Sequence, residues 1–299
     1  MRICDLCGTE NAEDHKYCKE CGNRLKIVAS VDKSIRDHDS TLNMEEIKSR
    51  LFIYRTKSMV DEAEKELTDK IMLHPGISEL HLLLGNLYLE NNNKANAIRE
   101  FEKAVELDNN NMDAYMQLGN IYGDSRDYEN SADMYENVIR INPCYPDVRN
   151  NIGNAYRFMK RHEEAVVQFK KAIELNPEYA RAHFNLGKTY IATNEIEKAL
   201  SEFKRAVEID GNYAKAHLRI GDCRKQLKED MHAIESYKNA VALEPDLLEG
   251  RIKLARLLKE NNRGEEAEVH AREALKLDSG IGDIDSIFRK EDMQDGDYT

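Results

Sequence analysis

The sequence predicts an all-α fold built from about seven helix–turn–helix units of 34 residues, preceded by a small cysteine-rich module. Three observations carry this prediction. Five of the fifteen glycines follow one another every 34 residues, and four of the five prolines are separated by multiples of 34. Four of the six cysteines form two Cys-x-x-Cys pairs within the first 21 residues. A fixed period of this length is typical of repeat architectures.

Length and composition set the class of protein. A chain of 299 residues with 41% hydrophobic and 33% charged residues is expected to fold. It contains no apolar run of the roughly 18 residues that span a membrane, and it does not begin like a signal peptide. We therefore expect a cytoplasmic protein. The net charge of -12 argues against binding of the whole chain to phosphate backbones, although one face could still be basic.

The cysteine-rich module predicts a metal site. Cys4 and Cys7 form one pair and Cys18 and Cys21 the other, each followed by glycine. Four thiolates fill a tetrahedral shell and leave no position for water, so the expected ion is structural Zn²⁺. The alternative of two disulfides is disfavoured inside a cell. The arrangement resembles the short zinc-ribbon modules of archaeal and bacterial proteins, over residues 1–24.

The repeat predicts two antiparallel helices per unit. We number the units from Met44, Ser78, Met112, Pro146, Ala180, Ala214 and Leu248. The eighth place is Gly85, Gly119, Gly153, Gly187 and Gly221 in the five inner units, and the twenty-fourth place of these units is Phe101, Tyr135, Phe169, Phe203 and Tyr237. Apolar places recur at about 3.6 residues, with a break in the middle of each unit. Glycine lets the two helices approach closely, and we expect the aromatic side chain to fill the gap between successive units.

The period and these places resemble the tetratricopeptide repeat, over residues 44–281. The resemblance implies a right-handed superhelical solenoid whose first helices line a concave groove. The tryptophan usual at the fourth place is absent, and we expect the histidines found there to pack against the neighbouring helix. Beyond the last unit, Ile284, Ile287 and Phe288 share a helical face that could cover the exposed end. The predicted organisation is a zinc ribbon at 1–24, a linker at 25–43, seven units at 44–281, and a capping turn with an acidic tail at 282–299.

Charges at the groove-facing places of this family are unevenly distributed. Units two and three contribute four acidic residues and no base, a sum of -4. Units five to seven contribute eight bases against three acids, a sum of +5. The bases are Arg181, Lys188, Lys215, Arg219, Lys225, Lys253, Arg256 and Lys259, and the acids are Asp222, Glu249 and Glu260. Solvated charged faces are common on helices, but the clustering favours an acidic partner.

Amides lie between the two charged parts of the groove. Asparagine offers a donor and an acceptor, which match the backbone of an extended peptide. The residues also resemble the carboxylate clamp of some tetratricopeptide proteins, with Asn154, Asn185, Lys215 and Arg219 at four of its five places and Asn150 in place of the first lysine. The predicted peptide-binding residues are Asn120, Asn150, Asn154, Asn185, Lys188, Lys215, Arg219 and Arg256.

No catalytic motif is found, so we expect an adaptor and not an enzyme. The expected partners are other proteins, bound through extended or C-terminal peptide segments, and no membrane. The alternative is a nucleic-acid-associated factor in which the zinc ribbon or the basic part of the groove contacts RNA or DNA. A further hypothesis is that the acidic tail folds back onto the basic part of the groove.

Overall fold

The computed structural model describes residues 2–3, 10–11, 43–278, 280 and 283–288. Cys4, Cys7, Cys18 and Cys21 lie outside the described residues, as do the linker up to residue 42 and the tail from residue 289. Strand β1 (Arg2–Ile3) pairs antiparallel with β2 (Glu10–Asn11), with Arg2 opposite Asn11. The predicted zinc ribbon is therefore described only by these two short strands.

Seven helix pairs follow, and every first helix has 13 residues and every second helix 14. The pairs are α1 (Met44–Thr56) and α2 (Val60–Leu73), α3 (Ser78–Glu90) and α4 (Lys94–Leu107), α5 (Met112–Asp124) and α6 (Tyr128–Ile141), α7 (Pro146–Phe158) and α8 (His162–Leu175), α9 (Ala180–Ala192) and α10 (Ile196–Ile209), α11 (Ala214–Gln226) and α12 (Asp230–Leu243), α13 (Leu248–Glu260) and α14 (Gly264–Leu277). A short α15 (Ile284–Phe288) follows them. The predicted solenoid of paired helices is confirmed.

The chain forms two compact units, Met1–Ala114 and Tyr115–Thr299, and the boundary falls within α5. None of the helices in the described ranges combines the length and apolar character required to cross a membrane. The first unit holds α1 to α4. The second unit holds the helices from the greater part of α5 onward, and with them all the predicted groove residues from Asn120 to Arg256.

The turn within each helix pair has the same conformation in all seven repeats. One residue per turn has a positive φ of 55 to 62°, and these residues are spaced by 34: Ser58, Asn92, Arg126, Lys160, Asn194, Lys228 and Asn262. A left-handed residue ends a helix because the next N–H groups can then bond to its last carbonyls. In the fourth repeat, Arg161 N–H donates to the carbonyl of Tyr156 at 2.8 Å. The predicted break in each unit is this turn.

The glycine at the eighth place contacts the aromatic ring of its own repeat. An added Cβ at Gly85, Gly153 or Gly187 would lie 2.6 to 2.7 Å from the ring of Phe101, Phe169 or Phe203. These three phenylalanines are fully buried. The ring therefore occupies the space that a larger side chain on the first helix would take, which confirms the close approach predicted at glycine. The contact lies within one repeat, and the filling of the gap between successive units stays a prediction.

Histidine stands at the fourth place in three repeats, as His81, His183 and His217, and the first two of these bind a carboxylate. His81 Nδ1 lies 2.7 Å from Glu100 Oε2, and His183 Nδ1 lies 2.7 Å from Glu202 Oε2. Both histidines are buried. The glutamates belong to the second helix of the same repeat, so these histidines serve packing, as predicted.

Helix α15 covers the end of the last repeat. The Ile287 side chain is buried against Ile252 and Ala255 of α13 and Ala271 of α14. Ile284 and Phe288 pack around the same cluster. The predicted apolar face of this segment is therefore confirmed, and it shields the last helix pair from water.

Candidate peptide-binding surface

The candidate site lies on the first helices of the second compact unit. We call the faces of α7, α9, α11 and α13 that carry the predicted residues the first-helix surface. Asn185 Nδ2 on α9 donates to Asn150 Oδ1 on α7 at 2.9 Å. Lys253 Nζ on α13 contacts both carboxylate oxygens of Asp222 on α11, at 2.8 and 2.9 Å. These bonds connect helices of consecutive repeats and fix the side chains that make them.

The predicted amides differ in their exposure. Asn150 is only 1% exposed and Asn185 8%. Asn154, one turn after Asn150, is half-buried, and Asn120 on α5 is exposed. Asn120 Oδ1 accepts a hydrogen bond from the Tyr135 hydroxyl at 2.5 Å. Asn150 thus connects two helices and orients Asn185, whereas Asn154 and Asn120 keep accessible surface.

The predicted cations also differ. Lys215 on α11 is exposed, and Lys188 on α9 is half-buried. Arg219 Nη1 donates to Asp222 Oδ2 at 2.8 Å and to Glu249 Oε1 at 3.0 Å. Arg256 Nε donates to the backbone carbonyl of Ile287 at 2.5 Å. The guanidinium of Arg256 therefore holds α15 in place, and its predicted contact with a peptide stays a prediction.

All three acidic residues counted in units five to seven form ion pairs. Asp222 and Glu249 each contact Arg219 and Lys253, and Glu260 contacts Lys225 at 3.2 Å. The hydroxyl of Tyr237 donates to Asp222 Oδ1 at 2.8 Å, and burial raises the pKa of this tyrosine. The surplus of positive charge is therefore carried by the remaining bases.

Two of these remaining bases serve the capping helix. Arg256 bonds to Ile287, and Lys259 Nζ lies 3.9 Å from the centre of the Phe288 ring. Arg181 on α9 and Lys215 on α11 are exposed. The accessible positive charge consequently lies on α9, at the start of α11 and at Lys259 of α13, beside the capping helix.

The acidic groove residues of units two and three are partly neutralised by cations of unit one, which the charge count did not include. Within the first compact unit, Lys48 Nζ lies 2.5 Å from Glu79 Oε1, and Arg55 Nε donates to Glu90 Oε2 at 2.7 Å. Both cations belong to α1, the first helix of unit one. The spacing of 31 and 35 residues could have revealed these pairs, because it joins equivalent faces of neighbouring repeats.

The described helices have neither an activated thiol at Cys223 nor a cluster of metal-ligating side chains. The Cys223 thiol of α11 is buried, and burial raises its pKa to about 12, which keeps it protonated and unreactive. Within the ranges that the structure covers, no group of three or more His, Cys, Asp or Glu side chains could hold a metal ion. The arrangement offers hydrogen bonds and charge pairing to a bound chain.

Comparison with known proteins identifies the repeats. A family model described as TPR repeat matches residues 85–125 and 153–194. Models described as tetratricopeptide repeat match 180–213, and 113–143 with 214–247. No curated protein matches the chain.

Several solved structures share the fold. YrrB, described as a TPR protein with an unusual peptide-binding site, is 24% identical, with 63% of this chain and 97% of that chain covered and a TM-score of 0.55. PilF of Pseudomonas aeruginosa is 22% identical, with coverages of 68% and 92% and a TM-score of 0.58. MamA is 22% identical, with coverages of 54% and 95% and a TM-score of 0.53. At these identities the likeness concerns the fold.

Proposed function

Because this chain belongs to the tetratricopeptide-repeat family, we propose that it is a cytoplasmic adaptor whose first-helix surface binds an extended, partly acidic segment of another protein. The observation that carries this proposal is the order of side chains on consecutive first helices. Asn154 and Asn185 are amides on α7 and α9, and Lys215 is an exposed cation on α11. Amides suit the peptide backbone, and the ammonium suits a carboxylate.

Asn185 is preorganised for this role. The hydrogen bond from Asn185 to Asn150 restricts the Asn185 side chain before any ligand arrives. A side chain that is already ordered loses less conformational entropy on binding, so more of its interaction energy contributes to affinity. Asn150 therefore supports the proposed site as a positioning residue, in the place where the family's clamp has lysine.

A titration with a labelled acidic peptide tests the proposal. Fluorescence polarisation would compare the wild type with the double variant Lys215→Ala, Arg219→Ala. Each charge-assisted contact contributes about 1.5 to 3 kcal/mol, so the loss of one should weaken binding by about 10- to 150-fold and the loss of both by more. Lys204 and Arg205 lie on α10, outside the first-helix surface, and their double alanine variant is the control for the loss of two positive charges.

Two results would overturn the proposal. Undiminished affinity in the Lys215→Ala, Arg219→Ala variant would exclude these cations from the site. A single-stranded RNA that binds more tightly than the acidic peptide, with an affinity that falls steeply as salt is added, would replace the peptide with a nucleic acid.

We also propose that Cys4, Cys7, Cys18 and Cys21 bind one structural Zn²⁺. The pairing of β1 with β2 supports this, because the segment that joins the two strands contains Cys4 and Cys7. Metal analysis of the reduced full-length protein should give one zinc per chain, and Cys4→Ser with Cys7→Ser should abolish it. A protein that contains no zinc when prepared with Zn²⁺ in excess would exclude the site.

A further inference from the structure

Two cations and two carboxylates meet where α11 lies against α13. Arg219 and Asp222 belong to α11, and Glu249 and Lys253 belong to α13. Each carboxylate contacts both cations at 2.8 to 3.0 Å. The cluster is electrically neutral as a whole, but its two carboxylates occupy different environments.

Asp222 is the inner carboxylate. Its side chain is 16% exposed, and it accepts hydrogen bonds from Arg219, Lys253 and the buried Tyr237. With three donors from three helices, Asp222 is fixed. Because it holds both cations, Asp222 sets the distance between the guanidinium of Arg219 and the ammonium of Lys253.

Glu249 is the outer carboxylate. Its side chain is 38% exposed, and a single oxygen, Oε1, contacts Arg219 Nη1 at 3.0 Å and Lys253 Nζ at 2.8 Å. Ion pairs at such exposure contribute little to stability, so the carboxylate can leave at small cost. The two cations would remain in place, since Asp222 holds them from the other side.

We propose that Arg219 and Lys253 form a subsite for an acidic side chain of the bound segment, and that Glu249 occupies this subsite when no ligand is present. A carboxylate between a guanidinium and an ammonium is the arrangement in which proteins bind acidic ligands. Glu249 is then an internal competitor that lowers the affinity for every acidic segment. This inference rests on the proposed function and adds the α13 subsite to it.

Glutarate, a free dicarboxylate, probes the subsite independently of any peptide. The NMR signal of Arg219 Nε–Hε would be followed during titration of the full-length protein. In Glu249→Gln the competitor is neutral, and we expect glutarate to bind about 3- to 10-fold more tightly than in the wild type. Glu208→Gln is the matched control, because Glu208 pairs with Arg205 on α10 and its loss changes the net charge equally.

Lys253→Met in the Glu249→Gln background should remove the gain, because only one cation then remains at the outer position. The inference is overturned if Glu249→Gln binds glutarate no better than Glu208→Gln does. It is also overturned if Lys253→Met leaves the affinity unchanged. Circular dichroism of each variant establishes that the helices are intact.

The same variants, titrated with an acetylated and amidated hexapeptide of alternating glutamate and glycine, separate the two proposals. This capped peptide carries only side-chain carboxylates. If the protein binds the same sequence only when its C-terminus is left free, the assignment to an acidic side chain is overturned. If glutarate behaves as expected and acidic peptides of every sequence fail to bind, the subsite stands and the proposed adaptor function falls.

Discussion

The contact between Gly187 and Phe203 gives a quantitative test of the repeat packing. Gly187→Ala would place a Cβ 2.6 Å from Cε1 and 2.8 Å from Cδ1 of Phe203. Non-bonded carbon atoms pack at about 3.5 to 4.0 Å, so the ring must move by about 1 Å. Phe203 of α10 is fully buried against α9, and the centre of the Phe184 ring lies 5.5 Å from its own, so the ring cannot move toward solvent.

The expected cost follows from two opposing effects. Overpacking a core costs about 1 to 3 kcal/mol, and we take about 2 to 3 because the ring is buried on all sides. Alanine favours a helix over glycine by about 1 kcal/mol, which offsets part of this cost. The net expectation is a loss of about 1 to 2 kcal/mol. Gly264→Ala, with nothing within 4 Å of its Cβ, should be neutral or stabilising by up to about 1 kcal/mol.

Urea unfolding followed by circular dichroism measures the stability of both variants. Because long repeat arrays lose two-state behaviour, hydrogen exchange of the α9 and α10 amides should accompany it and locate the effect. Phe203→Leu added to Gly187→Ala should recover part of the loss, since a smaller side chain relieves the overlap. A Gly187→Ala variant as stable as the wild type would show that the Phe203 ring does not limit the size of the side chain at position 187.

Three further predictions concern other parts of the chain. Burial, and after it the charges of Arg251 and Lys238, lower the pKa of His270 in the folded protein. Its contribution to stability is therefore present above the unfolded pKa of about 6.5 and decreases as the pH falls below that value. His270→Gln should weaken this pH dependence of the free energy of unfolding in urea titrations. Lys160 has a φ of 59°, a left-handed conformation that strains any residue except glycine. Lys160→Gly should therefore raise the free energy of unfolding by about 0.5 kcal/mol. A decrease in this free energy would contradict the presence of strain. Ile287→Ala should lower the free energy of unfolding by about 2 kcal/mol. This value is at the low end for such a change because α15 has five residues and can detach. Unchanged hydrogen exchange in α13 would count against the capping role of α15.

Sequence periodicity was sufficient to predict the repeated fold. The helices, the turns and the Gly–aromatic contacts all depend on residues close in the chain, within one unit of 34. Gly187 and Phe203, for example, are separated by 16 positions, and the same separation recurs in five repeats. A local pattern that recurs this often constrains its own structure, because every copy must satisfy the same packing.

The candidate site was predicted only in part. The sequence placed Asn154, Asn185 and Lys215 on consecutive first helices, and the structure agrees with that placement. The zinc site stays a prediction. Charge counts by unit did not reveal which cations are already paired, because a count treats each residue as if it were alone.

The period, the two helices of each repeat and the residues that pack them together follow from the order of residues along the chain. The state of each groove side chain depends on how neighbouring repeats pack. Asn150 became a buried connection to Asn185, Arg256 a donor to the capping helix, and Glu249 the partner of Arg219. The physical reason is that these contacts cross between neighbouring repeats, about 30 to 35 residues apart, and their geometry depends on how adjacent helices pack.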